Sequence, residues 1–153
     1  MELDELMGKH SDTYRFHGVK GCNLSRILKN SEEGEITLWG RADEDAEEEE
    51  DEVNGYLPGR GELSVTKWTD IEMSCNEFCD EDGVVFVLEP IVESPREDEH
   101  PSDRREFRIQ VEEWRVIGGI RPVFERTYDE DDELIEEELV EFQALSLEEI
   151  EEV

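Results

Sequence analysis

Residues 105–128 read REFRIQVEEWRVIGGIRPVFERTY, and this stretch decides the fold class. From Arg105 to Ile117, Phe107, Ile109 and Val111 alternate with Arg108, Gln110 and Glu112. A period of two places successive side chains on opposite faces of a strand. The run meets Gly118-Gly119, and Ile120–Tyr128 begins beyond it. Two glycines between extended runs favour a tight hairpin, because glycine reaches positive φ without a Cβ clash. Pro122 has no N–H to give to a ladder, so the returning strand is expected at an edge.

Working outward, Gly83–Val92 is the most apolar stretch and reads as a central strand, with Pro90 marking a bend or an edge near its end. Thr13–Val19, Glu35–Arg41, Leu63–Trp68 and Asp70–Ser74 are further strand candidates, the last two able to form one bulged strand. Asn23–Asn30 reads as a short helix, with Asn23 or Ser25 as cap and Lys29 in the last turn, where the helix dipole favours a cation. Glu2–Met7 fits a turn of helix, and Asn76–Asp82 and Glu93–Asp103 read as polar connections. In the tail, Asp129–Glu133 reads as a turn. Ile135, Leu139 and Phe142 fall at i, i+4 and i+7, as in a helix, yet Leu139–Leu145 serves equally as a strand. Ser146 and Glu149 form a capping-box pattern before Ile150, which fits a short final helix. The expectation is a single domain over residues 1–153. Its fold class is α+β and β-rich: a mainly antiparallel sheet of about six or seven strands, one or two short helices, and acidic loop and C-terminal segments.

The chain carries 46 acidic and 15 basic residues, a net charge of −31. A phosphate backbone attracts Lys and Arg, so direct binding to nucleic acid over a broad surface is excluded. An anionic membrane leaflet is repelled for the same reason. The charge is not spread evenly. Residues 41–55 hold nine acids against Arg41, and residues 129–153 hold thirteen acids and no base. Repulsion among neighbouring carboxylates, with little apolar anchoring, makes residues 42–55 an expected flexible acidic loop. Residues 129–153 form an acidic C-terminal segment. Salt adaptation coats a whole surface; clustering in blocks fits an interaction surface better.

Three cysteines are too few for a disulfide framework, and an odd count fits a reducing interior. Met1–Gly8 lacks the basic and apolar regions of a signal peptide. The longest apolar run, Val84–Leu88, is far short of the ~20 residues that span a bilayer. A cytoplasmic protein is expected.

Candidate chemistry is sparse. Cys75 and Cys79 are spaced C-x3-C, and His17 and Cys22 complete a Cys3His zinc set on paper. No second close pair supports it, and a lone cysteine is more often a small buried apolar residue. Asp80-Glu-Asp-Gly83 lacks the remaining ligands of a calcium loop. No nucleophile elbow, zinc-protease, Walker or dinucleotide motif occurs, so no enzyme activity and no cofactor or metal is expected. The bases Lys20, Arg26 and Lys29, and Arg104, Arg105 and Arg108, are expected to form internal ion pairs with the acids. Trp39, Trp68 and Trp114 are expected core residues, an exposed one being a candidate interface anchor.

What remains is the placement of charge. The expected function is an acidic protein-binding inhibitor that occupies a basic, nucleic-acid-binding surface of a partner. This is the DNA-mimic logic of anti-restriction, anti-CRISPR and nuclease-immunity proteins, and the likeness is one of composition alone. The expected partner is a basic protein, a nucleic-acid-binding enzyme or complex. The expected contact residues are Asp43, Glu44, Asp45, Glu47, Glu48, Glu49, Glu50, Asp51 and Glu52 in the loop, and Asp131, Asp132, Glu133, Glu136, Glu137, Glu138 and Glu141 in the tail. The alternatives are an acidic chaperone or assembly factor for a basic protein, and a salt-adapted accessory domain with no inhibitory role.

Overall fold

A computed structural model describes residues 13–29, 31, 35–42, 55–79, 82–100 and 103–151. Their elements run in the order β1 (Arg15–Val19), α1 (Gly21–Lys29), β2 (Trp39–Arg41), β3 (Tyr56–Pro58), β4 (Glu62–Thr66), α2 (Ile71–Glu77), β5 (Val84–Pro90), β6 (Glu97–His100), β7 (Asp103–Gln110), β8 (Trp114–Tyr128), β9 (Leu134–Leu145) and α3 (Leu147–Glu151). Every strand pair is antiparallel. The nine strands form one sheet in the order β3-β2-β4-β1-β5-β8-β9, with β7 on the other side of β4 and β6 beyond β7. The β-rich, antiparallel class therefore holds, with more strands than the six or seven expected and with three short helices among the described residues.

The sheet is organised around β5. Val84, Val85, Phe86, Val87 and Leu88 are all fully buried. Alternate side chains of a strand point to opposite faces, so five consecutive buried residues require cover on both faces. Val84, Phe86 and Leu88 pack with Leu24 and Ile27 of α1, with Ile36 and Leu38, and with Ile150 of α3. Val85 and Val87 pack with Phe16, with Ile71 and Cys75 of α2, and with Cys79 just beyond that helix. The helices thus lie on opposite faces, α1 and α3 on one and α2 on the other.

Several expectations are corrected. The hairpin at Gly118-Gly119 does not form. β8 runs straight through both glycines, pairing Gly119 with Phe86 and Gly118 with Val87, and neither glycine has positive φ. The glycines serve close approach instead. A Cβ at Gly119 would stand 2.5 Å from Val84 Cγ1 and 2.8 Å from Ile150 Cδ1. The chain turns earlier, at a 3-10 turn over Val111–Glu113, so Arg105–Ile117 is not one strand. β7 joins β4 while β8 joins β5. Pro122 does lie where one edge of β8 is open, beyond Ile120, the last partner of β5.

Asp70–Ser74 is not a strand. It follows a 3-10 turn over Trp68–Asp70 and opens α2. Ile71 and Cys75, spaced four apart, pack into the same cluster, a helical spacing that outweighs local β-propensity. Gly18 of β1 lets this helix approach, since a Cβ there would meet Ser74 O at 2.5 Å. Of Glu35–Arg41 only Trp39–Arg41 is strand, although Ile36 and Leu38 are buried. The connection Glu93–Asp103 contains β6. Charge pairing recruits it: the Arg15 guanidinium reaches Glu97 at 3.1 Å (Nη2 to Oε2), and Asp98 lies opposite Arg108. The short helix near Asn23–Asn30 is present as α1, two residues earlier at its start. Trp114 is buried with the Arg15 guanidinium 5.9 Å from its ring centre, and Trp39 and Trp68 are half-buried. The expected turn at Glu2–Met7 and the loop Asp43–Glu52 lie outside the described residues. No helix among the described residues is long and apolar enough to cross a membrane.

Substituting Gly119→Ala is expected to destabilise the fold by about 1–3 kcal/mol through overpacking against β5 and α3. Urea denaturation of the two proteins measures this. A neutral or stabilising effect would contradict the close approach of β8 to Val84 and Ile150.

Candidate functional site

The acidic tail supplies the turn and the second strand of a β-hairpin whose first strand is β8. β8 pairs with β5 only as far as Ile120; from Arg121 onward its ladder is with β9 alone. Residues 121–128 and 134–143 therefore form a two-stranded arm that extends past the end of β5. Apolar cross-strand pairs hold it: Pro122 opposite Phe142, Phe124 opposite Leu139, and Tyr128 opposite Leu134. Such pairs contribute roughly 0.2–1 kcal/mol each. Its root is fixed by a chain of rings, with Phe142 5.8 Å from Trp68 and Trp68 5.5 Å from Phe16 of β1.

The connection between the two strands consists entirely of acids, Asp129–Glu133, and one of them organises it. Asp129 Oδ1 accepts the N–H groups of Asp131 and Glu133, each at 2.9 Å. The Asp129 N–H donates to Glu133 O at 2.9 Å. Asp132 takes the left-handed conformation, φ 61°, which Asp tolerates better than most residues. The far end of β9 is tied down by α3. Glu149 Oε1 accepts the Ser146 N–H at 3.2 Å, and Ser146 Oγ accepts the Glu149 N–H at 3.3 Å. Hydrogen bonds to the carboxylate, first from the Ser146 N–H and then from the Ser146 hydroxyl, stabilise its charged form and hold the Glu149 carboxyl below its ordinary pKa. Ile150, one residue on, is fully buried.

Two bulges set which side chains share a face. Val140 and Ile135 are extra residues in β9, each lying between two β9 residues whose partners are adjacent on β8. Leu139 and Phe142, three apart, thereby reach the same face and pack against the cluster under α2. With them lie Phe124, Tyr128 and Leu134. Arg126 and Glu137 also share this face and form an ion pair at 3.1 Å. Glu125, Glu136, Glu138 and Glu141 take the opposite face, where Glu125 stands directly across from Glu138. Glu136, Glu138 and Glu141 are exposed. Side chains two apart on one face of a strand lie about 6.8 Å from each other.

The arm is dense in charge. Residues 121–143 hold ten carboxylates against Arg121 and Arg126. Their β8 half, Arg121–Tyr128, is about 27 Å long, so the arm averages one net negative charge per about 3.4 Å of its length. Duplex DNA carries one negative charge per about 3.4 Å of axis on each strand. The arm thus approximates the linear charge of one strand, not of both.

The structure brings together Asp131, Asp132, Glu133, Glu136, Glu137, Glu138 and Glu141 on this arm. Asp43, Glu44, Asp45, Glu47, Glu48, Glu49, Glu50, Asp51 and Glu52 lie outside the described residues. Glu125, Asp129 and Glu130 belong to the arm as well. The signal for them was the β-rich run Val123–Tyr128 before the acidic turn, whose true partner is β9.

The four residues of the paper zinc set do not meet. Cys75 and Cys79 are buried under one face of the sheet, and Cys22 is exposed on α1 over the other. His17 neighbours Phe16 in β1 and so points away from the Cys75 face. Its Nδ1 lies 2.7 Å from Ser64 O, an acceptor only, so Nδ1 carries the proton. Burial of the ring lowers its pKa and favours the neutral form, which leaves the acids without help from this side chain. No cluster of three or more metal-ligating groups occurs among the described residues. Burial, then the Cys79 thiol and Glu72, push the Cys75 thiol up to about 12.

In comparisons with known proteins, no family, no characterised sequence and no solved structure matches this chain.

Thiol chemistry checks the placement of the cysteines. At pH 8, iodoacetamide is expected to modify Cys22 alone in the folded protein, with Cys75 and Cys79 reacting only after denaturation, as read by peptide mass mapping. Fast modification of Cys75 in the native state would contradict the packing described.

Proposed function

We propose that the protein is an acidic inhibitor that binds a basic, nucleic-acid-binding surface of another protein and keeps nucleic acid from it. The observation that carries this reading is the arm: ten carboxylates on a hairpin whose root is packed into the core. A complementary field speeds encounter and rejects partners of the wrong sign. A charge array held by strand pairing loses less conformational entropy on binding than a free acidic tail, so more of the Coulomb energy appears as affinity. General solubilisation needs no such ordering, and an acidic assembly factor needs only reversible contact. On this reading the partner is a nuclease or another protein with a groove for a phosphate backbone. No catalytic role is proposed, and the site of action is the cytoplasm.

Two properties of a captured partner test the reading. Duplex DNA and this protein are expected to compete for it, and raising salt from 50 to 200 mM is expected to weaken the complex at least tenfold. Replacing Glu136, Glu137, Glu138 and Glu141 together by Gln is expected to lower affinity at least tenfold without loss of fold. Capture that is indifferent to DNA, or unchanged in the fourfold variant, would refute inhibition through this arm.

A further inference from the structure

Among the described residues β9 is paired on one side only, and it is the last strand of the sheet. Its twelve residues present a row of main-chain N–H and C=O groups on the outer edge. Above that edge lie Glu136, Glu138 and Glu141. Below it lie Leu134, Leu139 and Phe142, with Leu134 51% exposed and the bulged Ile135 65% exposed. Tyr128, opposite Leu134, is also 53% exposed. Large apolar side chains at the tip of an acidic arm add nothing to solubility, and here they adjoin an open strand edge.

We propose that β9 binds an extended segment of the partner as an added strand, and that this segment alternates basic with apolar residues. The inference rests on the inhibitory reading above and specifies how the partner is held. A strand added at about 4.8 Å from β9 would set every second side chain beside Glu136, Glu138 and Glu141, and the others beside Leu134 and Leu139. Lys or Arg on the first face and Val, Ile or Leu on the second satisfy both. Main-chain hydrogen bonds supply affinity, and the two faces supply selection. A second copy of this chain is the wrong occupant. Pairing β9 with itself would bring two rows of carboxylates together, with like charges opposed across the new ladder. The acids that shield the edge from its own copy attract a basic strand.

The test uses the full chain and two synthetic probes of equal charge. One is a ten-residue peptide alternating Lys and Val, and the other is the same peptide with N-methyl groups on every second residue. The unmodified peptide is expected to bind saturably and at least tenfold more tightly than the methylated one. It is also expected to slow hydrogen exchange at every second amide of β9, the pattern of an added strand. Equal binding of both peptides, with no alternating protection, would overturn strand addition while leaving the acidic arm as a charge-complementary surface. Failure of both peptides to bind in 20 mM salt would overturn both readings. Self-association of the chain through β9, read as alternating protection that grows with protein concentration and without peptide, would overturn the choice of occupant.

Discussion

Burial of Val84–Leu88 on both faces is the constraint on which the rest of the structure depends. With 40% of its residues charged, the chain has little apolar material for a core. It centres that material on one strand, covered by α1 and α3 on one side and α2 on the other. Full burial of a Val, Leu or Phe side chain contributes roughly 1.5–3 kcal/mol. Concentrating such residues in β5 gives the sheet a centre to which charged strands are added outward. Its neighbours follow from it: β1 on one edge, β8 on the other, and Gly119 where β8 must pass close under Ile150.

The same arrangement explains how a net charge of −31 is compatible with a folded chain. In the body of the sheet, acids meet arginines: Glu97 with Arg15, Glu89 with Arg115, Asp98 with Arg96. On the arm this balance stops. Arg126 pairs with Glu137, but Glu125 faces Glu138 and the connecting turn is five acids in a row. An exposed ion pair contributes ~1 kcal/mol at most, so repulsion on the arm is offset chiefly by apolar pairs on its other face and by the anchor of Phe142 on Trp68. A surface that costs stability to maintain fits a use for that charge.

Much of this was legible in the sequence. β5 could be read because five consecutive apolar residues bounded by Gly83 and Pro90 point to a doubly covered strand. The turn at Asp129–Glu133 and the capping box at Ser146 were readable because their hydrogen bonds are local. The Gly118-Gly119 reading failed because local turn preference yielded to a distant requirement, room for Val84 and Ile150. β6 was invisible because its four residues, EDEH, carry no apolar alternation and because Arg15, which pairs with its Glu97, lies far off in sequence. The tail read equally as helix or strand for a specific reason. Bulges at Ile135 and Val140 break the period of two, so Leu139 and Phe142 share a face at a helix-like spacing. The blocks of charge were plain from composition. That one of them is an ordered hairpin with an open edge and an apolar underside was not.

The central claim is that the arm, and not the overall charge, binds the partner. Joining Val123 to Glu141 through an Asn-Gly turn would remove the outer arm and leave the core strands and α3 intact. Isothermal titration of the shortened and full-length proteins against the partner decides the matter. The account predicts that the shortened protein folds and loses binding by at least a hundredfold. Undiminished affinity in the shortened protein would contradict it and assign binding to the remaining acidic surface.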